Sequence, residues 1–136
     1  MRGMVQVILI GQARLFREGL HALLNATRKV EVLGAYAEVE DAIPEAEAKR
    51  PDVILLHRRD LAGRDPSLLQ LLRQRFPKIP VVLLLNGAQP SDVRAARQVG
   101  AAGCLDRHID ASFLSDALRL AAAGQFVVAP GVGEDN

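Results

Sequence analysis

Arg50-Pro51-Asp52-Val53-Ile54-Leu55-Leu56-His57 is the stretch on which the fold turns. A Pro-Asp turn delivers the chain into four consecutive apolar residues, and the run stops at a polar ring. Unbroken hydrophobicity over so short a span suits a strand whose sheet is covered on both faces, whereas a sheet with one wet face would alternate. Similar runs stand at Val5 to Ile10, Val30 to Ala35, Val81 to Leu85 and Ala102 to Leu105; with Val53 to His57 they make five. Between them apolar residues recur at i, i+3, i+4 and i+7, the spacing of helices with one buried stripe. The pattern predicts an α/β chain in which crossover helices join parallel strands.

The helices are expected at Arg14 to Asn25, Val39 to Lys49, Pro66 to Arg75, Pro90 to Val99 and Ala111 to Ala123. Some ends carry their own chemistry. Pro90-Ser91-Asp92 starts a helix, Gly100 ends it, and Asp110 is placed to cap the last one. Pro44 lies inside the second, where its missing N–H and its ring should shorten or kink the helix unless the helix effectively starts nearby. From Gln125 to Asn136 the chain ends in Pro, Gly and acidic residues, so a domain over residues 1–124 and a tail or linker over 125–136 are expected.

A chain of 136 residues with 49% hydrophobic content fills one core. Formal net charge is +1, with Arg and Lys spread along the chain, which argues against a nucleic-acid stripe or a membrane patch. Cys104 is the only cysteine, so an internal disulfide and multi-cysteine metal sites are excluded, and a reducing cytoplasm fits. The run after Met1-Arg2-Gly3-Met4 is too short for a signal sequence or a membrane span.

Four segments then carry a resemblance: Leu15-Phe16-Arg17-Glu18-Gly19-Leu20, Arg50 to Leu56, Arg75-Phe76-Pro77 and Gly100-Ala101-Ala102-Gly103. In their order and spacing, from about Val5 to about Gly124, they resemble the receiver domain of bacterial two-component response regulators, most of all the NarL/LuxR branch. The resemblance implies a flavodoxin-like (CheY-like) doubly wound sheet of five parallel strands in the order 2-1-3-4-5, with helices on both faces. It also implies a DNA-binding output domain beyond the tail, so that DNA would be reached only through a domain not present in this chain.

In a doubly wound sheet, ligands collect at the carboxyl ends of the strands near the switch in strand order. Here those ends carry Gly11 and Gln12, His57, Leu85 and Asn86, and Arg107. A working receiver, by resemblance, has two acids after its first strand, a phosphoryl-accepting aspartate ending the third, a hydroxyl ending the fourth, and an aromatic and a lysine on and after the fifth. The acids fall on Gly11 and Gln12, the acceptor on His57, the hydroxyl on Leu85, the aromatic on Cys104 and the lysine on Arg107, so all six positions depart. Magnesium wants oxygen ligands with one or two carboxylates, which Gly11, Gln12 and His57 do not supply. Neither metal nor cofactor is expected, and Arg107 alone gives only part of the field that phosphoryl transfer needs. Leu85 cannot bond phosphate and Cys104 cannot swap like a ring, so one dominant conformation is expected. Cys104 reads as a small buried filler, and His57 as hydrogen-bonded to a backbone carbonyl or to Gln12. Asp60 and Asp106 read as solvated loop charges near the pocket.

On the last helix Leu114, Ala117, Leu118 and Ala121 form the inward stripe, and Phe113 with Leu120 a second apolar pair. That pair is either a homodimer or protein-partner surface or a patch folded against Phe126 and Val127. The expectation is a degenerate, phosphorylation-independent receiver, not an enzyme, acting as a regulatory and dimerisation module of a transcription regulator. The alternatives are a small-molecule sensor using the crevice of Gln12, His57, Asn86 and Arg107, a residual phosphotransfer module through His57, and a flavin-binding module. The last lacks a hydroxyl-rich phosphate cradle in Gly11-Gln12-Ala13-Arg14.

Overall fold

The computed structural model describes residues 4–58 and 67–129. Arg59, Asp60, Pro66 and the end of the tail from residue 130 lie outside the described residues. In chain order the elements are β1 (Val5–Ile10), α1 (Arg14–Ala26), β2 (Val30–Tyr36), α2 (Val39–Lys49), β3 (Val53–Arg58), α3 (Ser67–Arg75), β4 (Val81–Leu85), α4 (Pro90–Val99), β5 (Gly103–Asp106), α5 (Ala111–Ala122) and β6 (Val127–Val128). The five strands and five helices expected from hydrophobic periodicity are all present, with ends displaced by a residue or so.

The sheet is parallel throughout and its order is β2-β1-β3-β4-β5-β6. The doubly wound order is as expected, but the count of five strands is corrected to six. Val127 and Val128 pair with Gly103 and Cys104, so residues assigned to the tail complete the sheet edge. Gly103 makes room for them: a Cβ there would lie 2.4 Å from Val127 Cγ2 and 2.8 Å from the Val127 carbonyl oxygen. A short strand can hug β5 so closely only where β5 has no side chain.

Alternate residues of each strand enter opposite cores. Ile8, Ile54, Leu56, Leu83 and Leu85 meet α2, α3 and α4 in one cluster, whereas Val7, Leu9, Leu55, Val82 and Leu84 meet α1 and α5 in the other. These strand residues are at most 2% exposed, which explains why the central runs show no polar alternation. Each such side chain stabilises the fold by about 2 kcal/mol through burial. The predicted stripe Leu114, Ala117, Leu118 and Ala121 is the buried face of α5.

The caps follow their chemistry. The Phe113 N–H donates to the Asp110 carboxylate at 2.7 Å, and α4 ends on Gly100 in the left-handed conformation. Helix α4 starts at Pro90 as expected, with Gln89 and Asp92 closing a capping box around it. Pro44 neither ends nor divides α2, which runs unbroken from Val39. With the proline in the second turn, the ring removes a hydrogen bond close to an end where several N–H groups are free in any case.

Candidate functional site

A crevice of about 720 Å³ opens at the carboxyl ends of β1, β3 and β4, between the start of α1 and the start of α2. Its floor is apolar, from Ile10, Leu56, Val39 and Leu68, and its polar wall is Gln12, Glu38, His57, Arg58 and Asn86. Gly11 and Gln12 follow β1, His57 and Arg58 end β3, and Asn86 follows β4, so the sheet twist and parallel register bring them to one place.

His57 organises this wall. Strand alternation turns its ring to the side of α1, where it packs half-buried against Phe16 with ring centroids 4.4 Å apart. Its Nε2 pairs with Asn86 Oδ1 at 3.0 Å, an arrangement in which the N–H donates and Nδ1 remains an acceptor. Among the described residues its partner is thus neither a backbone carbonyl nor Gln12, the two expected from sequence. Gln12 instead donates from Nε2 to both Glu38 carboxylate oxygens, at 3.0 and 3.3 Å, on the exposed rim. Burial pushes the His57 imidazole below its ordinary range; the bond to Asn86 opposes this, and the charge of Arg107 adds to it.

Gly11 and His57 are sterically coupled. A Cβ at Gly11 would lie 3.1 Å from His57 Cβ, closer than side chains ordinarily pack, and 3.4 Å from Nδ1. The tight contact is with the β-carbon that any residue but glycine carries at position 57, and the imidazole nitrogen adds only an ordinary van der Waals contact. Arg17 donates to the Gly11 carbonyl, and the Gly11 N–H donates to the Tyr36 carbonyl at 2.9 Å, so this backbone is fixed from both sides.

The other predicted positions separate from the crevice. Leu85 is fully buried among the side chains of α2, α3 and α4. Cys104 is fully buried in the same core, and burial, together with the Asp92 and Asp106 carboxylates, pushes its thiol up to about 12. It is a packed filler rather than a thiolate nucleophile. Arg107 is exposed; its backbone N–H reaches the Leu85 carbonyl at 2.8 Å, but its side chain does not line the crevice. The wall set of Gln12, His57, Asn86 and Arg107 thus loses Arg107 and gains Glu38 and Arg58. Glu38 is the residue before α2, and the strand-end rule names the residues after β2 as well as those after β1.

Asp106 is not a solvated charge. Oδ1 accepts from the Gly87 and Ala88 N–H groups at 2.7 and 3.2 Å, and Oδ2 faces His108 Nδ1 at 3.2 Å. Burial pushes this carboxyl up, but the two N–H groups and His108 together hold it below the ordinary carboxylate value. Asp60 lies outside the described residues. Among the described residues no three His, Cys, Asp or Glu side chains converge to hold a metal ion. Among them, too, no helix is long and apolar enough to cross a membrane.

On α5, Phe113 is half-buried against the core of α1 and α5, and Leu120 is 44% exposed. Phe126 lies elsewhere: it packs against the opposite core with the Arg97 guanidinium 3.9 Å over its ring. Leu120 borders a shallow pocket with Met4, Asp52 and Arg119 at the amino ends of the strands.

Residues 7–119 match the family of response regulator receiver domains. Over 128 residues the chain is 30% identical to the transcriptional regulatory protein DegU of Brevibacillus brevis, covering 94% of this chain and 54% of that protein. It is 28% identical to the response regulator protein VraR of Staphylococcus epidermidis, covering 94% of this chain and 61% of the relative. The chain thus spans little more than half the length of these relatives. Its structure is similar to the signal receiver domain of the putative response regulator NarL from Mycobacterium tuberculosis, at 29% identity and a TM-score of 0.77 over 91% of this chain and all of that one. The fold is also that of a LuxR-family response regulator from Aurantimonas, with a TM-score of 0.82 at 17% identity over 95% of this chain and 92% of that one. By the family match, and by a crevice at the topological switch of a parallel six-stranded sheet, this chain belongs to the response regulator receiver domain family.

Proposed function

We propose that the chain is the receiver part of a LuxR-type transcription regulator that signals without phosphorylation. The single observation that carries this reading is the set of residues that the crevice gathers at the ends of β1 and β3, Gly11, Gln12 and His57, where the family's chemistry calls for clustered carboxylates. The donor set does not fit magnesium: Gly11, Gln12 and His57 offer no carboxylate, and the Glu38 carboxylate on the rim already accepts from Gln12. With Leu85 sealed in the core and the Arg107 side chain outside the crevice, no hydroxyl and no lysine among the described residues that line it stands ready to grip phosphoryl oxygens.

On this reading the module is regulatory and not catalytic, and it works in the cytoplasm. It pairs with a second copy or another protein through α5, and DNA is reached by an output domain beyond these residues. Leu120 is the more accessible half of the interface, since Phe113 is partly spent on the core. The receiver body is taken as residues 1–124 and the connection as 125–136, with β6 binding the first part of that connection to the sheet.

A second reading uses the crevice as a small-molecule site. Its volume, apolar floor and few convergent polar groups support it. Thermal stabilisation by one member of a metabolite panel, lost on His57→Ala, is the result it requires.

The test is intact-mass spectrometry after incubation with acetyl phosphate and magnesium, with light scattering on the same samples. The expected outcome is no adduct and an unchanged molecular mass in solution; an adduct that disappears in His57→Ala overturns the proposal. A Phe113→Asp, Leu120→Asp variant that stays folded and keeps the parent's mass in solution removes the α5 interface.

A further inference from the structure

The turn between β4 and α4 is gripped from both neighbouring strands. From β5, Asp106 receives two consecutive backbone N–H groups on one oxygen, Gly87 at 2.7 Å and Ala88 at 3.2 Å. Gly87 has φ +72, a conformation that lets successive N–H groups converge on a single anion. The second carboxylate oxygen faces His108, and the Asp106 side chain is only 19% exposed. From β3, His57 holds Asn86, the residue immediately before Gly87, at 3.0 Å. Beyond the turn, Gln89 and Asp92 cap α4 reciprocally. Three consecutive residues, Asn86, Gly87 and Ala88, are therefore held by two side chains, His57 from β3 and Asp106 from β5.

We infer that Asp106 is an internal anion latch: its carboxylate fills the N–H concavity of the β4–α4 turn and, with the hold of His57 on Asn86, keeps that turn closed without a bound ligand. Charge-assisted bonds to backbone N–H groups are among the stronger hydrogen bonds, and here one carboxylate oxygen accepts two of them. An anion arriving from solution would find these N–H groups already used and would face a negative charge. The inference goes beyond the reading above, because the latch holds whether or not the crevice accepts phosphoryl.

The test is amide hydrogen exchange by NMR on the full chain, comparing the parent with Asp106→Ala and Asp106→Asn. In the parent, Gly87 and Ala88 exchange slowly. Asp106→Ala speeds both by roughly tenfold while Leu83 and Leu84 inside β4 keep their rates. Asp106→Asn, which keeps an acceptor oxygen but loses the charge, falls between the two. Equal rates for Gly87 and Ala88 in parent and Asp106→Ala, or free-peptide rates in the parent, overturn the latch. Should Asp106→Ala fail to fold, the parent alone decides. The amide proton shifts of Gly87 and Ala88 must then follow a carboxyl titration between about pH 6 and about pH 2, and flat shifts reject the latch. A phosphodonor adduct in the preceding experiment would leave these outcomes unchanged.

Discussion

The two halves of the sheet's carboxyl rim are built differently. Around β1 and β3 the polar groups bond to other side chains: Gln12 to Glu38 at the surface, and His57 to Asn86. Around β4 and β5 they bond to backbone: Asp106 to Gly87 and Ala88, and the Arg107 N–H to the Leu85 carbonyl. Losing one member of a neutral, exposed side-chain pair leaves a group that water can satisfy, whereas losing Asp106 takes a charged partner from two consecutive N–H groups at once, one of them partly buried. The first half of the rim can therefore change its chemistry at small cost to the fold, and the second half holds the fold's shape.

Breaking the stronger half should have the largest effect. Asp106→Ala is expected to lower unfolding stability by about 2 kcal/mol, read from urea denaturation at neutral pH; a loss no greater than that of an exposed substitution would erase the contrast. Next comes the close contact between position 11 and His57 in the weaker half. Gly11→Ala should cost about 1 kcal/mol in the parent and nearly as much in a His57→Ala background, because its Cβ meets the β-carbon of residue 57 in both, but become neutral or stabilising in a His57→Gly background, where only the reduced freedom of the unfolded chain remains. A double-mutant cycle with His57→Gly measures that coupling, and additive costs would mean that the β-carbon is not what excludes a side chain there.

The smallest effect separates the halves by pH. His57 has its folded pKa lowered, so its contribution is fully present above the ordinary histidine value of 6.5 and is lost as pH falls through that value toward the folded one. Asp106 is also lowered, but as a carboxyl: its contribution is present above 3.8 and is lost only as pH falls through the folded value below that. Stability measured against pH should decline in two separate windows. His57→Gln removes the upper one and Asp106→Asn the lower, and a single window abolished by either variant would contradict the assignment.

The architecture was legible because Ile8, Leu55 and Leu84 sit in strands covered on both faces, and burial on both faces leaves a mark that survives in one dimension. Strand β6 was less legible: Val127 and Val128 are only two residues, close to glycine and proline, and their signal is weaker than that of the turn chemistry around them. The clue lay elsewhere, in Gly103, whose missing side chain is what admits a neighbour. At the site, strand-end placement predicted the convergence of Gly11, Gln12, His57 and Asn86. It did not predict that His57 would choose Asn86, or that Asp106 would turn to the neighbouring loop, since both choices depend on distances between strands that no local pattern encodes. At Pro44 the sequence left two outcomes open, a shortened helix or one that starts nearby, and the start at Val39 is the second.

The 3.1 Å approach between position 11 and His57 also constrains change. A side chain introduced at residue 11 meets an atom that every residue but glycine carries at position 57, so exchanging the imidazole for a smaller group does not open the space. Mutational routes toward an acidic cluster in this crevice therefore need a shift of a few tenths of an ångström between the ends of β1 and β3, and a library that varies only these two side chains will miss them.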